Sequence, residues 1–407
     1  MSRLRNRIGG KAGLLSAVAV LGLLFAFTAG WTLRGGRSAG SAQAGAQAPN
    51  SRTLAAEQTT GPQPDVSGVP ATATTVSPPP AGGLGGADQA STPPVLGDLP
   101  KASKAGKPPV AAFKCPATKV LVSTASELTA ALAAARPGTV ITLAAGVYSG
   151  TFTATGSGTP KKPIYLCGPR SAVLDAGSVY GGYALHLDGA SYWRVKGFTI
   201  QNAQKGVMLD GVTRVGLQGL LVQQIGDEAV HLRTGSTLNV VRGLTIRQTG
   251  LRKPKLGEGV YIGTAQSNWC EVNHCQPDHS DGNFVVGNVF TATSAESVDL
   301  KEGTSGGVLS GNRFDGAGIT GADSWVDVKG NGWLIVGNRG TDAPVDGYQV
   351  HEILDGWGYR NLFGANLSTV NASGYAIKVT KQHSGNVVRC DNQATAAGQG
   401  LTNITCS

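Results

Sequence analysis

The chain has 407 residues, 60 of them glycine, with few aromatic residues, 14% charged residues and a formal net charge of +9. Glycine excess without a three-residue period excludes a collagen-like fibre and points to turn-rich β-structure beside a low-complexity stretch. The positive balance is misleading: Arg3, Arg5, Arg7, Lys11, Arg34 and Arg37 precede any acid, whereas residues 113–407 hold 24 basic and 21 acidic residues, an excess of three, which leaves no basic footprint for nucleic acid.

A basic stretch to Lys11 precedes a 22-residue apolar run from Ala12 to Leu33. That length spans a bilayer, so residues 1–34 read as a signal anchor, or as a signal peptide cleaved near Ala42-Gln43-Ala44. Either way the remainder is expected outside the cell or at its surface, and membrane contact is expected only through this segment. Residues 35–112 are rich in Ala, Gly, Ser, Thr and Pro and cannot bury enough apolar surface to order themselves, so they read as a disordered linker. The six cysteines, Cys115, Cys167, Cys270, Cys275, Cys390 and Cys406, fit disulfides in an exported protein. Local pairing gives 115–167, 270–275 and 390–406, one of many connectivities.

The domain over 113–407 opens with Thr124 and Glu127 as a capping box before Leu128 to Leu132, with Arg136-Pro137-Gly138 as the stop. Beyond it, Val230-His231-Leu232-Arg233, Val260-Tyr261-Ile262-Gly263, Val298-Asp299-Leu300-Lys301 and Val326-Asp327-Val328-Lys329 share one alternating pattern, at intervals of 30, 38 and 28 residues. Alternation marks strands with one buried face, and recurrence marks stacked coils: an all-β, right-handed parallel β-helix with a short N-terminal capping helix. Val350-His351 and Ile377-Lys378-Val379 continue the register. A second register, from Val195-Lys196-Gly197 to Val336-Gly337-Asn338, places glycine at a tight corner and stacks Asn288, Asn312 and Asn338 beside it. The 38-residue interval holds Cys270 and Cys275 and reads as a disulfide-pinned loop over one face.

Stacking puts Asp299 about 4.8 Å from Asp327, and Lys301 as close to Lys329. The middle coils thereby gather Glu228, Glu258, Glu296, Asp299, Asp327, Lys301 and Lys329. Carboxylates so placed need a neutralising cation, and oxygen ligands from several coils suit Ca²⁺. Glu258, Glu296 and Asp299 are the candidate ligands. Strict alternation would turn Glu296 inward with Val298, so its exposure requires a corner between them. Lys301, Lys329 and Asp327 are the candidate catalytic residues, and Arg233, Tyr261 and His351 the candidate substrate contacts. The chemistry that fits is β-elimination from an acidic, uronic-acid polysaccharide: a cation stabilises the enolate, and a lysine whose pKa is lowered by its neighbour takes the proton. A hydrolase using Asp299 with Asp327, or Glu228 with Glu258, is a second reading. A non-catalytic glycan-binding solenoid, its acids neutralised by the lysines alone, is a third. No feature asks for a second copy, so a monomer is expected.

Leu143-Ala144-Ala145-Gly146-Val147-Tyr148 followed by stacked coils resembles the pectin-lyase-like β-helix superfamily over residues 115–407. Glu296-Ser297-Val298-Asp299-Leu300-Lys301, followed by Gly311-Asn312-Arg313-Phe314, is similar to a segment of the alginate and chondroitin B lyase family. That resemblance implies Glu296 as a Ca²⁺ ligand and Lys301 as the base. The family's second ligand glutamate is Ser294 here, and its catalytic arginine has no match, Lys329 being the nearest cation. Gly226-Asp227-Glu228 and Gly257-Glu258-Gly259 resemble polygalacturonase motifs, with Glu258 in place of a histidine.

Overall fold

The computed structural model describes residues 106–381 and 384–407. The targeting segment and nearly all of the linker lie outside the described residues. Residues just ahead of 113 pack against the coils: Val110 is buried, and the Phe113 N–H donates to Gln218 Oε1 at 3.0 Å. Among the described residues no helix is long and apolar enough to cross a membrane.

Every strand pair is parallel, and the strands stack into three sheets of eleven, nine and ten strands. Each complete coil contributes one strand to each sheet, and its inward residues fill a continuous apolar interior. That interior includes Trp193, Trp325, Trp333, Tyr148 and Tyr348, all fully buried. Trp325, Trp333 and Tyr348 are therefore core residues.

The helix Ala125–Ala133 forms with the expected capping box: Thr124 Oγ1 accepts from the Glu127 N–H, and the Glu127 carboxylate accepts from the Thr124 N–H. Its Leu128 and Leu132 close the end of the apolar interior. All three expected disulfides are present.

Corner chemistry follows the second register. Gly219, Gly243, Gly287, Gly311 and Gly337 all have positive φ, where a Cβ would be strained. The asparagine stack is longer than expected. Asn288 Nδ2 donates to Asn312 Oδ1 at 3.0 Å, Asn312 to Asn338 at 2.9 Å, Asn338 to Asn366 at 3.0 Å, and Asn366 to Asn392 at 2.9 Å. Each asparagine also serves buried backbone groups that the corner would otherwise leave unpaired.

Candidate active site

The nine-stranded sheet carries the site. Its register runs His186, Met208, His231, Tyr261, Asp299, Asp327, Gln349 and Lys378. This corrects one expectation. Gln349, not His351, stands opposite Asp327, because the strand Asp346–Val350 pairs two residues further back than the apolar pattern suggested. His351 lies just past the strand, where its Nε2 still comes within 3.5 Å of Asp327 Oδ1.

Glu228, Glu258 and Glu296 all precede their strands, which begin at Val230, Val260 and Val298. The corner needed to turn Glu296 outward is thus present. The three glutamates form a row along one margin of a cleft of about 470 Å³, also lined by Tyr261, Asp299 and Lys301.

Asp299 sits at the centre. Lys301 Nζ approaches its Oδ2 at 2.6 Å, and Lys329 Nζ its Oδ1 at 3.0 Å. Lys329 also reaches Asp327 Oδ2 at 2.8 Å, while Ser324 Oγ donates to Asp327 Oδ1 at 2.8 Å. Lys301 does pull Lys329 downward, as expected, but the net shift is the reverse of a lowered lysine pKa. Burial pulls both downward, but the surrounding carboxylates together, Asp299 first, then Glu258 and Glu302 for Lys301 and Asp327 and Glu296 for Lys329, hold both well above the ordinary lysine value. Burial pushes Asp327 up; Lys329 and His351 override that and keep it well below the carboxylate range. Asp327 is therefore a fixed anion, which disqualifies it as the general acid of a hydrolase.

The other carboxylates behave oppositely. Burial, then the charges of Glu228 and Asp299, push Glu258 up to about 8. Burial, then Asp299 and Asp327, push Glu296 up to about 9. Oxygens of Glu258, Glu296 and Asp299 lie within 4.8 Å of one another, and Glu258 Oε2 is buried without a hydrogen-bond partner. Five carboxylates (Glu228, Glu258, Glu296, Asp299 and Asp327) face three ammonium groups (Lys205, Lys301 and Lys329). Two negative charges remain, which two protons or one divalent cation would neutralise. An all-oxygen donor set with an unpartnered buried oxygen fits a hard cation such as Ca²⁺.

Two uncharged groups complete the cleft. His231 is nearly buried, and its Nε2 is placed to donate to Gly263 O at 2.9 Å, leaving Nδ1 as an acceptor that Lys205 Nζ approaches at 3.4 Å. Burial, then Lys205, hold its pKa well below the usual imidazole value. Tyr261 stands edge to face with it, ring centroids 4.5 Å apart, and Lys301 Nζ lies 4.9 Å from the tyrosine ring. Burial, then Asp299, raise the Tyr261 phenol well above its ordinary value, so it keeps its proton.

Arg233 lies one coil before Tyr261, with its guanidinium 2.6 Å from Asp210 Oδ1. Sequence reasoning missed Lys205, which bonds Glu228 Oε1 at 2.7 Å; it opens its strand ahead of the repeated pattern, so column alignment did not collect it. Ser294, in the place of a family ligand, faces away: its Oγ donates to Pro254 O at 2.8 Å and latches a loop. The disulfide-pinned loop does border the cleft, through Thr264, Asn268 and Val272. Buried Asp278 fastens it, accepting from the N–H groups of Thr234 and Gly235 at 2.9 Å and from Thr264 Oγ1 at 2.8 Å.

No family model matches the chain, and no curated protein matches it. Among solved structures, it is similar to an alginate lyase from Paenibacillus sp. str. FPU-7, with 35% identity over 70% of this chain and 98% of that one, at a TM-score of 0.66. Looser matches are the pectate lyase Pel9A (17% identity, 71% of this chain, 78% of that one, TM-score 0.49) and a mannuronic acid specific family 6 polysaccharide lyase from human gut microbiota (15%, 64%, 66%, 0.43). With 35% identity over an alignment that spans 98% of the Paenibacillus enzyme, the chain belongs to the same family, among the parallel β-helix polysaccharide lyases.

Proposed function

We propose that this protein cleaves a polyuronate, alginate foremost, by β-elimination in the cleft around Asp299. The observation that carries this reading is the pairing of charged and uncharged groups there. Lys301 and Lys329 stay as ammonium ions, while Tyr261 and His231 stay neutral. Elimination needs a positive charge on the substrate carboxylate, a group that takes the C5 proton and a group that protonates the leaving oxygen. The lysines supply the charge. Tyr261 offers an O–H to the leaving oxygen, and the His231 Nδ1 lone pair is the acceptor. Lys301 thus serves as electrostatic stabiliser, in place of the base that the resemblance implied. Glu258, Glu296 and Asp299 would hold a Ca²⁺ ion, which when bound would draw charge from the substrate carboxylate. The similarity to the Paenibacillus alginate lyase supports this choice of substrate. The protein acts outside the cell, held by its N-terminal segment or released from it.

A screen of polyuronates and glycosaminoglycans separates the readings. Elimination gives unsaturated products that absorb in the ultraviolet. New reducing ends without that absorbance would replace this reading with hydrolysis.

The cation has its own signature in stability. Glu258 and Glu296 rise from 4.5 in the open chain to about 8 and 9 in the fold. Without a cation, the stability they contribute is present below pH 4.5 and is lost as pH rises through 8 and 9. The melting temperature in chelator should therefore fall between neutral pH and pH 9, and Ca²⁺ should restore more of it at pH 9 than at neutral pH. A Ca²⁺ effect that is absent at every pH would remove the cation from this site.

A further inference from the structure

A second face of the solenoid has features the cleft does not explain. On the outside of the ten-stranded sheet, Val289, Arg313, Arg339, Leu367 and Gln393 form one column. Asp315, Thr341, Thr369 and Thr395 form the next. Arg313 and Arg339 are directly opposed on neighbouring strands, about 4.8 Å apart along the backbone. Like charges so placed repel, and no described residue offsets them through an ion pair or hydrogen bond to either guanidinium. Arg233 and Arg252, by contrast, are each paired with an aspartate. The one acid in the two columns is Asp315, whose Oδ1 accepts from the Ala317 N–H at 3.1 Å.

The two arginines lie between two hollows of about 320 and 250 Å³, both lined by Arg313, Arg339 and Thr341. The two hollows follow one another along the solenoid axis as a shallow groove interrupted by the arginines, from Val289 to Thr395. Half-buried Val289 and Leu367 offer apolar patches to sugar C–H faces, and Thr395 Oγ1 donates to Thr369 Oγ1 at 3.1 Å in a hydroxyl ladder.

We propose that this groove is a second, non-catalytic binding site for an acidic polysaccharide, with carboxylates of neighbouring sugar units seated on Arg313 and Arg339. Arg313 and Arg339 stand one strand apart, so a chain lying along the axis passes both and can seat a carboxylate on each. No aromatic residue lies exposed in the groove to stack a base, which disfavours nucleic acid. The choice of polymer rests on the polyuronate reading of the cleft; the anion-binding geometry does not.

The test is native electrophoresis of the full chain through gels containing alginate, with Lys301→Ala as background so that the polymer stays intact. Adding Arg313→Ala and Arg339→Ala should weaken retention roughly fivefold, in line with two exposed ionic contacts. The lysine pair Arg313→Lys and Arg339→Lys should recover most of it, and in the otherwise native chain the alanine pair should leave turnover of a trisaccharide unchanged. Unchanged retention in the alanine pair overturns the proposal, as does equal retention on single-stranded DNA. If alginate is never cleaved yet the alanine pair loses retention, the cleft reading fails and this site stands.

Discussion

Lys301→Ala should lower kcat/KM on a polyuronate about 10² to 10³-fold, the usual effect of deleting one preorganised charge stabiliser. Its Nζ lies 2.6 Å from Asp299 and 4.9 Å from the Tyr261 ring, so it stands between the central carboxylate and the proton donor. The fold should tolerate the loss, because Asp299 keeps Lys329 at 3.0 Å, and the melting temperature should barely move. Lys301→Arg separates the two roles this lysine has been given. A stabiliser needs only a positive charge, so the arginine variant should recover at least a tenth of native activity. A base needs a neutral amine, which arginine does not supply. If the arginine variant is as inactive as the alanine variant, the lysine is the proton acceptor and His231 is not.

The largest stability effect should come from Asn312→Ala. Asn312 Oδ1 accepts from the Asn288 N–H at 2.9 Å and from its Nδ2 at 3.0 Å, while Asn312 Nδ2 donates to Val285 O at 2.9 Å. Alanine serves none of these groups. Each buried polar group left unpaired costs about 1–3 kcal/mol, so three of them should cost about 3–9 kcal/mol. Denaturant unfolding measures this. A loss under about 1 kcal/mol would mean that the corner re-pairs its backbone without the ladder.

The coils were legible because parallel stacking repeats the same environment, so the apolar-alternating strands recur where the core demands them. The candidate cation ligands were legible for the same reason: Glu258, Glu296 and Asp299 precede or occupy aligned strands, and the structure brings their oxygens together. Two things were not legible. The register of His351 depends on how the chain leaves the coil at Val328 to Asp346, and apolar spacing alone carries no information about that loop. The protonation of Lys301 and Lys329 depends on which oxygen each side chain reaches. The repeat places two lysines side by side, and the fold puts Asp299 between them.

The asparagine ladder has a consequence for how such a molecule can change. Its rungs are separated by 24, 26, 28 and 26 residues, yet every rung closes the same bond. One corner of each coil is thus pinned at fixed pitch whatever the coil's length, and differences in length must emerge at the other corners. Insertions there, such as the loop fastened by Asp278, reshape the walls of the cleft without disturbing the stack beneath it. A clasped seam on one side leaves the opposite rim free to drift, and selection for a new sugar can act on that rim coil by coil.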